Sequence, residues 1–318
     1  MEELNQNKIV YSIVIPHYND VDSLKVLLSS IPDRDDIQII VVDDNTYEDI
    51  QQLSVQLEDI DRRFELYNNT THVNSAGTCR NIGLEHAKGK WLLFADADDW
   101  FVEGAFEVLD RYQECKADLV VFLPVSVNLP EMTTGVRHLD YEWEIKNYLR
   151  DPDNDLGIRY RIRGPVSKLV RNEIVRINKI TFDSVKWSND VMFSMKIGFY
   201  ANRVIADKQT IYCITRKKGT LTSDRSTKEY QSRYDVQIKR WLFLNSILGE
   251  KKTYEILGWP GAGVASAIIG GYGLSTAKKI LEKYRRNNIK IGIKGLSIDF
   301  FLYVIVNTKC ALRDKFCH

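Results

Sequence analysis

Residues 75–101 read SAGTCRNIGLEHAKGKWLLFADADDWF. The stretch holds three things in order: a helix over 75–87, a buried strand WLLFA at 91–95, and an acidic turn ADADD directly behind the strand. Outward toward the amino terminus the same alternation repeats. SIVI at 12–15 reads as a buried strand ended by Pro16, and Val21, Leu24, Leu27, Leu28 and Ile31 fall at helical spacing. IQIIVVDD at 37–44 is rich in β-branched residues, as parallel strands covered on both faces are. A helix over 48–58 and a strand FELY at 64–67 lead back to the starting stretch, and beyond it come a helix over 103–114 and a strand DLVVF at 118–122. Strands alternating with helices imply an α/β domain with a mainly parallel central sheet flanked by helices.

Past residue 122 the character changes. Residues 123–165 are polar, aromatic and punctuated by Pro124, Pro130, Pro152 and Pro165, which reads as a long excursion over the strand ends. Short mixed elements fill 166–214, and helical patterns cover 226–248, 250–257 and 262–286. The organisation expected is a ligand-binding α/β half over 1–124, a second half of the same domain over 125–225, and a C-terminal helical subdomain over 226–318.

Composition excludes several classes. Lys plus Arg number 44 against 43 Asp plus Glu, without the basic excess of a nucleic-acid binder. The five cysteines are odd in number, widely spaced and form no CxxC pair, which argues against a disulfide framework or zinc site and for a reducing compartment. The opening MEELNQNKIVYS does not resemble a signal peptide, and no apolar run reaches the ~18 residues of a spanning helix. The expected location is cytoplasmic.

Ligands of open α/β sheets bind beyond the carboxyl ends of the strands. Those positions hold Pro16, His17, Tyr18 and Asn19 after the first strand, Asp43 and Asp44 after the second, and Asp96, Asp98 and Asp99 after the fourth. Five acids on one edge repel one another, and a hard divalent cation with oxygen ligands is the natural counter-charge. Asp at a strand end is also a turn former or helix cap, which stays open for Asp43 and Asp44. A dinucleotide-binding dehydrogenase would need GxGxxG after the first strand, where PHYND stands, and no GxxxxGK[ST] loop occurs. A diphosphate would then be held by metal and side chains.

SIVIPHYND, IIVVDDNT, the 75–101 stretch, GPVSKLV and WSNDVMF together resemble the family 2 glycosyltransferases of GT-A fold, particularly bacterial enzymes of capsule, exopolysaccharide or O-antigen synthesis. The resemblance covers about residues 9–215. It implies that Pro16 to Asn19 pack against the nucleotide and that Asp43 or Asp44 reads the uracil edge. It places Gly77 and Arg80 beside base and ribose. Asp96 becomes a ribose or metal-shell carboxylate, Ala97 lines the donor site, and Asp98 is the direct ligand of Mn2+ or Mg2+. Asp190 stands at the position of the general base, although Asn189 replaces the usual carboxylate before it. DDNT stands where DDGS is commoner, with little effect expected because Asn tolerates unusual turns.

The implied reaction is an inverting displacement on a nucleotide-sugar, UDP-sugar by family habit, by a hydroxyl of a glycan or lipid-linked acceptor. The local pattern alone also allows Asp190 to be a helix-start residue favouring the dipole. Lys168 is open between a phosphate or acceptor contact and a surface lysine closing a strand. Arg216 to Lys218 is open between a lid and a solvated turn. Trp100 and Trp187 could stack on a sugar or simply pack. A nucleotidyltransferase or a non-catalytic nucleotide-sugar binder are the competing functions. The apolar segment 297–307, SIDFFLYVIVN, with flanking lysines and arginines, suggests peripheral contact with the inner face of the plasma membrane, with a plain core helix as the alternative.

Overall fold

The computed structural model describes residues 9–46, 50–217, 226–258 and 260–290, and the chain divides into two compact units, Met1–Thr220 and Leu221–His318. In the first unit β1 (Tyr11–His17), β2 (Ile37–Asp43), β3 (Glu65–Asn68) and β4 (Trp91–Phe94) form a parallel run in the order β3-β2-β1-β4. β2 is buried at all seven positions, as its β-branched sequence demands. Pro16 does not end β1, which runs on to His17. The β1–β4 ladder stops at Val14, whereas Pro16 still lies opposite Val42 of β2, so no partner on the β4 side misses the absent proline N–H.

The other half of the sheet is mixed. β8 (Lys168–Arg171) is antiparallel to both β4 and β6 (Leu119–Asn128), β9 (Val204–Arg216) is parallel to β6, and β5 (Trp100–Phe101) closes that edge antiparallel to β9. The strand read at 118–122 therefore joins the parallel run through β8, and it is longer than its sequence suggested. β6 passes through Pro124, and register shifts on both sides of Leu123 absorb the missing donor.

Helices cover the sheet. Asp20 caps α1 (Val21–Ser29) by accepting from Ser23 N–H at 3.1 Å, and Leu24, Leu27 and Leu28 face inward. α2 (Ile50–Gln56), α4 (Ala105–Asp110), α7 (Asn172–Ile177) and α8 (Val191–Tyr200) complete the α/β pattern. α3 (Ala76–His86) is capped by Ser75 and lies directly on β1: a Cβ on Gly83 would come 2.3 Å from Val14 Cγ1. The excursion over 123–165 is more ordered than its composition implied. It holds β7 (Thr133–Thr134), α5 (Leu139–Arg150) and α6 (Leu156–Tyr160), with Tyr141 and Ile145 buried one turn apart on α5.

The second unit is helical. α9 (Thr227–Leu257) is broken at Gly249, whose φ of 78° is not helical, where the sequence pattern also divides. α10 (Gly261–Ile269) and α11 (Leu274–Arg286) follow, around a core of Ile238, Trp241, Ala267, Ala277, Ile280 and Tyr284. Gly263 permits close packing, since a Cβ there would overlap the Tyr234 ring. The apolar segment 297–307 and Lys218 lie outside the described residues. No helix among the described residues is long and apolar enough to cross a membrane.

Candidate donor and catalytic site

The carboxyl ends of β1, β2 and β4 bring the predicted acids to one edge, but the acids do different work. Asp43 is fully buried. Its Oδ1 lies 2.8 Å from His17 Nδ1 and its Oδ2 accepts Thr46 N–H at 2.7 Å. Burial pushes its carboxyl up, but the His17 and Thr46 hydrogen bonds outweigh that and hold it below the ordinary range. His17 Nδ1 and Asp43 are thus engaged with each other and with the turn, where Asn45 takes a φ of 62°, while His17 Nε2 is buried without a partner among the described residues. Asp44, half-buried, accepts from Asn69 Nδ2 at 2.7 Å. Pro16 is half-buried, Tyr18 is 58% exposed, and Asn19, at φ 58°, donates its N–H to Thr46 Oγ1 at 2.9 Å.

Asp96 follows β4 and forms a turn in which Asp99 N–H donates to Asp96 O at 3.0 Å. The backbone N–H of Asp96 donates to Tyr212 Oη at 2.9 Å. Asp99 is buried, and its Oδ1 accepts Thr215 N–H at 2.7 Å, so it holds the turn rather than facing a ligand. Thr215 Oγ1 donates to Asp98 O at 2.8 Å. The Asp98 carboxylate is half-buried, and burial, then the charge of Asp96, pushes it up to about 6. Burial and the charges of Asp98 and Asp96 push Asp99 well up. Ala97 packs against the core between them.

Arg80 links this turn to the predicted base. It is buried on α3, with Nη2 2.5 Å from Asp96 Oδ1 and Nη1 donating to Asn189 Oδ1 at 2.9 Å. Its guanidinium also sits 5.3 Å from the Phe182 ring centroid. Asn189 therefore acts as a neutral acceptor for Arg80. Gly77 allows the approach: a Cβ there would lie 2.4 Å from Asp183 O and 2.8 Å from Asn189 Cβ. Asp190 begins α8 but its carboxylate makes no capping hydrogen bond. Burial pushes that carboxyl above its ordinary range, opposed by Arg80 and Arg163 and reinforced by Asp96.

Lys168 is not a surface residue. It is 4% exposed on β8, and its Nζ donates to Ile162 O at 2.8 Å. Burial lowers its ammonium to about 7, and Asp190 is the charge that opposes the fall. Trp187 is buried with Lys186 over its ring at 5.0 Å, and Trp100 is half-buried and pairs with Cys213 across the β5–β9 ladder. Cys79 is buried, and desolvation raises its thiol beyond reach of a reactive thiolate. Lys217 Nζ donates to Asp20 Oδ2 at 2.7 Å and to Ser23 Oγ at 2.5 Å, tying the end of β9 to the start of α1. The sequence pointed to neither Thr215 nor Tyr212, which hold the acidic turn. Their only signal is position near the end of a strand whose partner could not be read.

Among the described residues no three or more His, Cys, Asp or Glu side chains are placed to hold a metal together. Asp98 and Asp96 nevertheless suit a hard cation. They are carboxylates raised or crowded by like charge, and Mg2+ or Mn2+ takes one or two protein carboxylates and completes its shell with water and phosphate.

The sequence profile of glycosyl transferase family 2 matches residues 12–176, more than half of the chain. The chain belongs to glycosyl transferase family 2. Among relatives in the family, a poly(ribitol-phosphate) beta-glucosyltransferase of Bacillus spizizenii is 28% identical over 218 residues, 64% of this chain and 32% of that protein. The poly(ribitol-phosphate) beta-N-acetylglucosaminyltransferase TarS of Staphylococcus aureus is 26% identical over 226 residues, 67% of this chain and 37% of its own. The chain thus spans about a third of the length of these curated relatives. The crystal structure of TarS 1-349 in complex with UDP-GlcNAc superposes with a TM-score of 0.59 at 22% identity, over 78% of this chain and 70% of that one. The fold is GT-A-like, with a mixed, curled sheet.

Proposed function

We propose that this family 2 chain is an inverting glycosyltransferase. It moves a sugar from a UDP-sugar to a hydroxyl of a glycan or lipid-linked acceptor in bacterial surface polysaccharide synthesis. The observation that carries the proposal is the Asp96–Arg80–Asn189 link, which sets the acidic turn behind β4 beside the start of α8, where Asp190 has no capping duty. The named functions of the two relatives and the UDP-GlcNAc and UDP complexes of TarS support the donor class.

In this reaction the bond from the anomeric carbon to the diphosphate oxygen breaks, and its electron pair leaves with the nucleoside diphosphate. The acceptor oxygen forms the new bond from the opposite face, and its proton passes to Asp190. A carboxyl raised by burial is a stronger base than an ordinary one, which suits that role. One base and direct displacement invert the centre. Mn2+ or Mg2+ at Asp98, with Asp96 beside it, would neutralise charge growing on the leaving phosphate. Arg80 holds Asp96 and the base-bearing segment in fixed relation, which limits the geometric freedom that costs rate.

Calorimetric titration of UDP with Mn2+, with chelator, and with Asp98→Ala tests the donor site. Binding should require metal and weaken at least tenfold, about 1.4 kcal/mol, in the variant. Binding of GDP or TDP in place of UDP changes the donor class. Absence of all nucleoside diphosphate binding overturns the proposal. Transfer that persists unchanged in Asp190→Asn removes Asp190 as the base, and binding without any turnover favours the non-catalytic binder.

A further inference from the structure

Arg137 stands outside every motif of the sequence, yet the fold fixes it beside the acidic turn. It precedes α5 on a loop anchored to β6 and β9. Gly135 N–H donates to Ser126 O at 2.7 Å, and a Cβ on Gly135 would lie 2.9 Å from Ser126 Oγ, so the loop lies flat on the strand. Ser126 Oγ and His138 Nδ1 are 2.8 Å apart on the other side of Arg137. Between these anchors Arg137 Nη1 donates to Thr215 O at 2.9 Å. Thr215 also gives its N–H to Asp99 Oδ1 and its hydroxyl to Asp98 O. A single β9 residue therefore carries the arginine on one group and the acidic turn on two others.

The guanidinium is exposed and charged, with five N–H donors in a planar fork. Only the Nη1 contact with Thr215 engages it among the described residues. Its charge is felt by Asp98, Asp99 and the buried Tyr141, but among the described residues no carboxylate forms an ion pair with it. Lys217, which also acts on Asp98, already donates to Asp20 and Ser23. A guanidinium held rigidly next to a metal-type carboxylate, with most of its fork unengaged, is suited to a bidentate phosphate contact.

We propose that Arg137 binds the diphosphate of the nucleotide donor and neutralises it as it leaves. The inference rests on the donor reading above. The diphosphate is favoured over an anionic group on the acceptor because Arg137 is tied through Thr215 to the Asp98 turn and not to the start of α8. Pre-anchoring by Gly135 and His138 means the contact needs little reorganisation when the charge develops.

The test is calorimetry of UDP, UMP and uridine, each with Mn2+ and with chelator, on wild type, Arg137→Ala and Arg137→Lys, with thermal melts to verify folding. Arg137→Ala should weaken UDP tenfold or more, about 1.4 kcal/mol, and leave uridine within about twofold. Arg137→Lys should restore part of the affinity. Equal loss for UDP and uridine would overturn the inference by making Arg137 a structural residue. Tight UDP binding by wild type and by Arg137→Ala alike overturns this inference alone, while wild type that binds no UDP removes the donor reading with it.

Discussion

Replacing Lys168 by Met should make stability less dependent on alkaline pH. The lysine is 4% exposed, and burial lowers its ammonium from the ordinary 10.5 to about 7. Between those two values the unfolded chain carries a proton that the native chain lacks. Stability then rises with pH, by at most ~1.4 kcal/mol per pH unit for one proton. The native form is penalised most at and below pH 7, and the penalty fades toward pH 10.5. From pH 7 to pH 9 the wild type should gain ~2 kcal/mol that Lys168→Met does not. The neutral amine can still donate to Ile162 O, so the hydrogen bond does not offset the gain. All other groups titrate in both proteins and cancel in the difference. Urea unfolding of both proteins at pH 7, 8 and 9, at fixed ionic strength, measures it. A stability difference that stays constant across the series, or moves toward the variant, refutes the reasoning. It would mean that Lys168 stays charged in the fold, with Asp190 fully compensating its burial.

Gly77→Ala forces a Cβ to 2.4 Å from Asp183 O, and the 183–189 segment must shift. The variant should lose ~1–3 kcal/mol by overpacking, and turnover should fall more than UDP affinity, because the displaced segment runs directly into Asp190. Melting temperature and separate kcat and UDP titrations test this. Arg80→Met leaves Asn189 Oδ1 and Asp96 without their shared donor. A loss of ~2–4 kcal/mol is expected in denaturant unfolding, at the lower end because Asp96 is a third exposed and water screens part of it. An unchanged midpoint would show that the link is incidental.

Strand existence was legible because period and composition agree: IQIIVVDD cannot be much else, and the ADADD turn directly behind WLLFA announces an acidic edge. Strand neighbours were not legible. KLVR at 168–171 is short and reads as well on a surface as in a core, so nothing local reveals that it separates β4 from β6. The same gap hid the burial of Lys168. α5 was masked because its buried face is only Tyr141, Glu144 and Ile145, while Leu139, Trp143 and Leu149 are apolar yet exposed, which blurs the helical period. The acids of the site were visible as types, but the split of labour between Asp43 and Asp44, or Asp98 and Asp99, depends on His17, Thr46 and Thr215. Those partners come from other strands and turns.

The insertion of β8 between β4 and β6 has a mechanical consequence. Two-lobed proteins can clasp a ligand by closing about a hinge. Here β8 is laddered on both sides, Leu92 of β4 facing Val170 and Val120 of β6 facing Leu169, so any swing between the strands would have to tear main-chain hydrogen bonds in the dry middle of the sheet. The candidate edge is accordingly a fixed anvil rather than a jaw, and on the proposed reading movement during turnover falls to the segments that rim it.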